Sequence, residues 1–571
     1  MKQFFSAFLG TIAGFVALFF IGIGLLLAVA TLGGDEAPKV QEKTLLKIDL
    51  NTTIEERSVE DPFAGFDALN FESTSNLGLN DFMIGLEAAA TNPSVEGILL
   101  NMGGFSAGYG TLEELGEYLK AFKATGKKIY AYGEYYTQKG AYLGALADST
   151  ILHPGGILDW RGIGLSLTYY KDFFDKVGIE PLIVRGTNNK YKSAVEPYLS
   201  NTMSEENRTQ LTHLTDGFWD FLTQAYVEKG VERSKLDSAA TNWTGMDAEF
   251  ALEAGLVDAL GYREDVMDGF EERFEIMNWS SFLKTVEQPS AKDRIAVIYA
   301  NGGIGNGAGD ESSIGTKNII SALRKADKND RVKAIVLRVN SPGGSALTSD
   351  MIHHTIGSMS KPVVVSQGNY AASGGYYISC NADAIFTNTT TVTGSIGIFM
   401  SLFTAEELIT ETLGLSIQKV QTHPLANFPN LYEQPDEHTY GILQKMIDRG
   451  YDDFTGKVAE GRDTTMEYIK SIGGGRVWLG SDALVNGLAD REGNLQDAIA
   501  YAASLADLKE YRLYELPAIE TDLEKITKAL SKATGPKVLQ TISDRPAFKE
   551  LEYLIENPGM QARMNPAFSQ F

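Results

Sequence analysis

Asn329-Asp-Arg-Val-Lys-Ala-Ile-Val-Leu-Arg338 is an apolar, β-branched run behind a turn signal, and the chain holds a second version of it at Asn92-Pro-Ser-Val-Glu-Gly-Ile-Leu-Leu-Asn101. Such runs read as buried strands. Glycine pairs follow both, at Gly343-Gly344 and Gly103-Gly104, and helical patterns come next around Ala346–Met359 and Thr111–Ala124. Working outward, the parallels continue. Lys361–Val365 matches Lys128–Tyr132, and Gly375–Asp383 matches Gly140–Asp148. Trp478-Leu-Gly480 matches Trp243-Thr-Gly245, and Asn486–Asp490 matches Ala254–Asp258. Upstream, Ile295–Asn301 matches Leu45–Asn51. The offset stays near 235, the spacing of both Asp148/Asp383 and Trp243/Trp478. The chain therefore reads as two copies of one unit, joined near Asn278–Lys292. Strands alternating with helices imply an α/β class with parallel pairing. In the first copy a polar helical stretch opens at Ser204, with Glu205 and Glu206 in its first turn, as expected at a helix N-terminus. The tail from Leu505 to Phe571 shows no counterpart in the first copy.

The 571 residues exceed what one core organises, and 43% hydrophobic with 22% charged content is ordinary for a globular protein. A formal net charge of −24 argues against nucleic-acid partners, whose phosphates need Lys and Arg. The single cysteine, Cys380, excludes an intramolecular disulfide and reads as a small buried hydrophobe. From Gln3 to Gly34 no side chain ionises. That exceeds the about 20 apolar residues needed to span a bilayer. Ala28-Val29-Ala30 resembles a signal-peptide cleavage site, but the apolar run is longer than such a peptide's core. The expectation is one retained N-terminal transmembrane helix. Lys2 precedes it and Asp35 and Glu36 follow, which puts the N-terminus in the cytoplasm. The division expected is an anchor over residues 1–40, a first copy over 41–285, a second over 286–505, and a C-terminal extension over 506–571.

The chemistry concentrates in the second copy. After the strand Val363–Val365 comes Gln-Gly-Asn-Tyr-Ala-Ala-Ser373-Gly-Gly-Tyr-Tyr, a lone serine among small residues where a strand turns into a helix. That turn exposes a hydroxyl and aims backbone N–H groups at what it attacks. Asn340-Ser-Pro-Gly-Gly344 can bring a second N–H to the same point. A nucleophilic serine needs a base. None of the six histidines lies in a triad motif, and no G-x-S-x-G elbow surrounds Ser373. A desolvated lysine is the alternative. The first copy offers Lys192, within Asn189-Lys-Tyr-Lys-Ser-Ala-Val-Glu-Pro-Tyr198. The repeat sharpens the pairing. Gln138 stands where the first copy would carry Ser373, and Phe428 where the second would carry Lys192. Each copy lacks what the other keeps, which is the pattern of one composite site. Gly302-Gly-Ile-Gly-Asn-Gly-Ala-Gly309 lacks nucleotide-loop spacing and is expected to form a flexible rim or lid.

The segments Ser341–Gly344, Tyr370–Tyr377, Thr393–Ile398 and Tyr191–Pro197 resemble those of the signal peptide peptidase A (protease IV) family in its long, duplicated form. The resemblance runs from the anchor to about Ala502. It implies a tandem Clp protease/crotonase-like fold and a Ser–Lys dyad of Ser373 and Lys192. It further implies an oxyanion hole from the N–H groups of Gly344 and Gly374, with Ser395 orienting the lysine. The first copy has Trp160 where Ser395 stands. The implied protein is a homotetrameric, single-pass inner-membrane serine endopeptidase with its catalytic region in the periplasm. It would degrade cleaved signal peptides and other short hydrophobic peptides, with no metal or cofactor. Competing readings are a catalytically inactive peptide-binding scaffold and a crotonase-like acyl-CoA enzyme.

Overall fold

The fold is seen in a computed structural model that describes Gly14 and residues 38–58, 77–287, 289–518 and 560–564. The expected membrane anchor lies outside these residues. Among those described, no helix is long and apolar enough to cross a membrane.

Two largely parallel sheets dominate, and they share one six-strand series. The first runs Ala259–Leu260, Ser149–Leu158, Lys128–Tyr136, Val95–Met102, Thr44–Leu50, Glu275–Asn278. The second, of eight strands, contains the series Arg491–Glu492, Ala384–Thr387, Val363–Ala372, Val332–Ser341, Arg294–Asn301, Arg512–Leu516, and branches from Val363–Ala372 to Val392–Gly394 and the antiparallel Val477–Leu479. The decisive runs at Asn92 and Asn329 thus become interior strands, buried on both faces as their apolar character demands. The strand Arg512–Leu516 corrects the reading of the tail. It pairs with Arg294–Asn301 as Glu275–Asn278 pairs with Thr44–Leu50, so the repeat continues past Leu505.

The copies share a core. Val297, Tyr299, Val336 and Val364 turn one face of the second sheet into a cluster that also holds Leu46, Ile98 and Phe122 of the first. Ala296, Ile298, Leu337 and Val365, one residue out of phase, line the opposite face. Polar pairs tie the same seam. Glu113 accepts hydrogen bonds from the backbone N–H groups of Thr389 and Thr390, each at 2.9 Å. Arg338, fully buried, bonds Glu56 at 2.8 Å and Glu114 at 2.6 Å, one carboxylate on each side of its guanidinium fork.

A third, smaller sheet draws on both copies and on the tail. Its order is Ser313–Ile314, Gly303–Ile304, Gly343–Ser345, Met560–Arg563, Phe399–Thr404, Glu180–Arg185. Gly303–Ile304 comes from the glycine-rich run expected to be a flexible rim or lid. It is instead a strand, with Ile304 fully buried and paired to Gly344. Glu180–Arg185, from the first copy, pairs antiparallel with Phe399–Thr404 and carries the chain toward Lys192.

Candidate active site

Ser373 ends the strand Val363–Ala372 with φ 57° and ψ −114°, a backbone conformation unusual for a residue with a Cβ. Its N–H donates to Gly394 O at 2.8 Å. Gly343 and Gly344 have φ of 96° and 152°, positions that favour glycine. A Cβ on Gly374 would sit 3.1 Å from Gly344 N, and one on Gly343 would sit 2.6 Å from Gly374 N. The Gly374 nitrogen therefore lies close against the Gly343-Gly344 pair, with no room for a Cβ on Gly343 or Gly374.

Lys192 arrives from the other copy. Its Nζ lies 2.7 Å from Ser373 Oγ, 2.9 Å from Ser395 O and 3.0 Å from Ser395 Oγ. Lys192, Ser373 and Ser395 are 1%, 0% and 2% exposed. Among the described residues no carboxylate bonds to this amine. Burial alone holds its pKa well below the ordinary lysine value. No histidine is among the hydrogen-bond partners of Ser373 within the described residues.

Gly474–Arg476 clamps both strands of this arrangement. Tyr191 N–H donates to Gly474 O at 2.9 Å, Gly475 N–H to Ile396 O at 2.8 Å, and Ser395 N–H to Arg476 O at 2.7 Å. Gly475 has φ 82°, and a Cβ there would lie 2.6 Å from Lys192 Cβ. The helix Glu205–Glu228 supplies a second brace, and its N-cap is Ser204, as the sequence indicates. Gln210 Nε2 donates to Ser193 Oγ at 3.1 Å, and its Oε1 accepts from Val477 N–H at 3.3 Å. Asn189 Nδ2 donates to Ile398 O at 2.6 Å. Sequence reading missed Gln210, Asn189 and Gly475. Only the glycine triplet Gly473-Gly474-Gly475 carries a signal of close approach.

The first copy's equivalent positions are occupied differently. Gln138 Oε1 accepts the N–H groups of Arg161 and Gly162, at 3.0 and 2.9 Å. Trp160 is fully buried and donates to Leu236 O at 3.1 Å. Phe428 lies in irregular chain, its N–H donating to Leu425 O at 3.1 Å, much as Lys192 N–H donates to Asn189 O at 3.2 Å. Cys380 is buried, and that burial pushes its thiol up to about 12. Among the described residues no cluster of acidic, His or Cys side chains could hold a metal ion.

A family model described as peptidase family S49 matches twice, at residues 121–276 and 356–509. The chain belongs to peptidase family S49. Its S49 segments fall one in each copy, and a Clp protease model matches residues 300–390. Protease 4 from Salmonella typhi is 31% identical over 563 residues, covering 93% of this chain and 90% of that one. Protease 4 from Haemophilus influenzae is 32% identical over 455 residues, 75% and 73% of the two chains. A chloroplastic serine protease SPPA from Arabidopsis thaliana is 30% identical over 522 residues, 87% and 76%. This S49 protein is therefore a serine peptidase built from duplicated Clp-protease-like α/β units.

Proposed function

We propose that the protein is a membrane-anchored endopeptidase working through a Ser373–Lys192 dyad assembled across the two copies. The reading is carried by one observation: a buried amine with no acidic partner among the described residues, 2.7 Å from a serine hydroxyl. A neutral amine has two N–H donors and one lone pair. Ser395 O and Ser395 Oγ take the donors, which turns the lone pair toward Ser373 Oγ–H. Lys192 then accepts the serine proton as Oγ attacks the scissile carbonyl. The N–H groups of Gly344 and Gly374 hold the oxyanion. The protonated lysine returns its proton to the leaving amine, and water hydrolyses the acyl-enzyme by the same route.

The proposed substrates are cleaved signal peptides and other short hydrophobic peptides, met at the face of a bacterial inner membrane. The N-terminus would be cytoplasmic and the catalytic region periplasmic. The long apolar run at the N-terminus supports the anchor. Assembly as a homotetramer fits the exposed apolar arm carrying Leu413, Leu415, Val420 and Leu431, which a second copy would cover. The test is a pair of variants assayed on a hydrophobic peptide. Ser373→Ala and Lys192→Ala should each abolish cleavage while leaving the fold intact, and a fluorophosphonate should label Ser373 in the wild type alone. Full activity in Lys192→Ala at neutral pH would sink the dyad.

A further inference from the structure

The helix Glu205–Glu228 belongs to the first copy, yet one of its faces lies along the second. Gln210, His213 and Gly217 fall at helical spacings of three and four, so they share that face. All three meet the run Val477–Asp482. Val477 N–H donates to Gln210 Oε1 at 3.3 Å, and His213 Nε2 lies 2.7 Å from Asp482 Oδ2. A Cβ on Gly217 would fall 2.2 Å from Leu479 Cδ1, so helix and strand are in close contact there.

The start of the same helix grips the segment that carries Lys192. Three acceptors surround Gln210 Nε2: Tyr191 O at 3.3 Å, Ser193 Oγ at 3.1 Å and Asn207 Oδ1 at 3.2 Å. Tyr191 and Ser193 are the two neighbours of Lys192 in the chain. Asn207 Nδ2 in turn donates to Glu196 Oε2 at 2.7 Å, and Ser204 N–H donates to Glu196 Oε1 at 3.1 Å. The helix start thus holds the lysine's segment at Tyr191, Ser193 and Glu196. Gln210 and Asn207 are each 1% exposed, so water does not compete for these bonds.

The other end of the Gln210 amide leads to the nucleophile. Val477 pairs with Gly394 across antiparallel strands, and Gly394 O accepts the Ser373 N–H at 2.8 Å. One planar amide therefore has the neighbours of Lys192 on its nitrogen and the strand that holds Ser373 on its oxygen. Few side chains could do this. A carboxylate offers no donor, methionine offers neither group, and asparagine is a methylene shorter.

We propose that Gln210 is a positioning residue of the peptidase, its amide fixing the spacing between the Lys192 segment and the strand that holds Ser373. The inference rests on the Ser373–Lys192 reading above. Gln210 is buried and touches neither the amine nor the serine hydroxyl, so it acts through Tyr191, Ser193 and Val477. Its loss should therefore slow the chemical step and leave substrate binding alone.

The test compares Gln210→Met with Tyr226→Phe on a hydrophobic peptide, per mole of folded full-length protein. Methionine keeps the length of the side chain and removes both ends of the bridge. Tyr226→Phe is the control for lost stability. Further along the same helix, it removes a buried hydroxyl that bonds Ala141 O and Leu256 O, at 3.0 and 3.2 Å. Gln210→Met should lower kcat about 100-fold with KM unchanged, while Tyr226→Phe keeps both. Should Gln210→Met fail to fold, Ser193→Ala removes one acceptor of the same amide, and kcat should fall about fivefold at unchanged KM. Equal falls in kcat for Gln210→Met and Tyr226→Phe would make Gln210 structural only and overturn the proposal. Wild-type kcat in Gln210→Met or Ser193→Ala, beside an inactive Lys192→Ala, also overturns it and leaves the dyad standing. A fully active Lys192→Ala overturns both.

Discussion

Replacing Lys192 with methionine should remove catalysis and, at neutral pH, make the protein more stable. The reasoning turns on protons. In the fold Lys192 is 1% exposed and its partners are Ser373 Oγ, Ser395 O and Ser395 Oγ, none of them charged. Burial holds the folded pKa well below the ordinary value. In the unfolded chain the amine titrates near 10.4. Between the folded and unfolded values the unfolded state binds one proton more. Unfolding free energy therefore rises with pH across that window, by about 1.4 kcal/mol per unit, and is flat below the folded pKa. Methionine has a similar stem and no such dependence. Urea unfolding of both full-length proteins at pH 7, 8, 9 and 10 isolates the effect, because all other groups cancel in the difference. The advantage of Lys192→Met should shrink by about 1.4 kcal/mol per pH unit through the window and vanish near the unfolded pKa. In parallel, fluorophosphonate labelling of the wild type should rise tenfold per unit up to the folded pKa and then level off. A stability difference that stays constant from pH 7 to 10 would mean that Lys192 is charged in the fold, and the general-base argument would fail.

Gly475→Ala places a Cβ 2.6 Å from Lys192 Cβ at a φ of 82°, so the lysine must shift. A displacement near 1 Å costs about 100-fold in rate, and kcat on a peptide should fall by that order with the fold retained. Ser395→Ala removes one of the two groups that take the amine's hydrogens but leaves the Ser395 carbonyl. The loss of about 1 kcal/mol predicts a five- to tenfold fall in kcat/KM. Arg338→Met strands two buried carboxylates and should destabilise the protein by about 3–5 kcal/mol, measured by urea unfolding. That loss should shrink as the pH is lowered, because burial raises the Glu114 carboxyl and protonation removes the stranded charge.

The repeat was legible because both copies keep their strand-forming runs, which are apolar for the same physical reason: burial on both faces of a parallel sheet. The pairing of Ser373 with Lys192 was legible from what each copy lacks at Gln138 and Phe428. Residues acting through long-range approach were not. Gly475 matters because of where Lys192 Cβ falls, and Gln210 because its amide bridges Ser193 and Val477; neither leaves a periodic mark. Met560–Arg563 is too short for any alternation to declare it, and it is a strand only because two edges await one. The run Gly302–Gly309 misled for the opposite reason. Its glycines suggest freedom, yet Gly303–Ile304 is fixed by pairing to Ser313–Ile314 and Gly344.

The Lys192–Ser373 contact spans 181 residues of chain, and the clamp at Gly475 lies further still toward the C-terminus. A ribosome adding about 5–20 residues per second needs about 10–40 s between Lys192 and Ser373. Throughout that interval the emerging polypeptide holds the proposed base without its serine. A product broken off before Gly475 lacks the brace that orients the amine, even if Ser373 has been made. The duplication thus gives the enzyme a built-in delay. With the proposed Ser373–Lys192 dyad, proteolytic power arrives only when the chain is nearly whole.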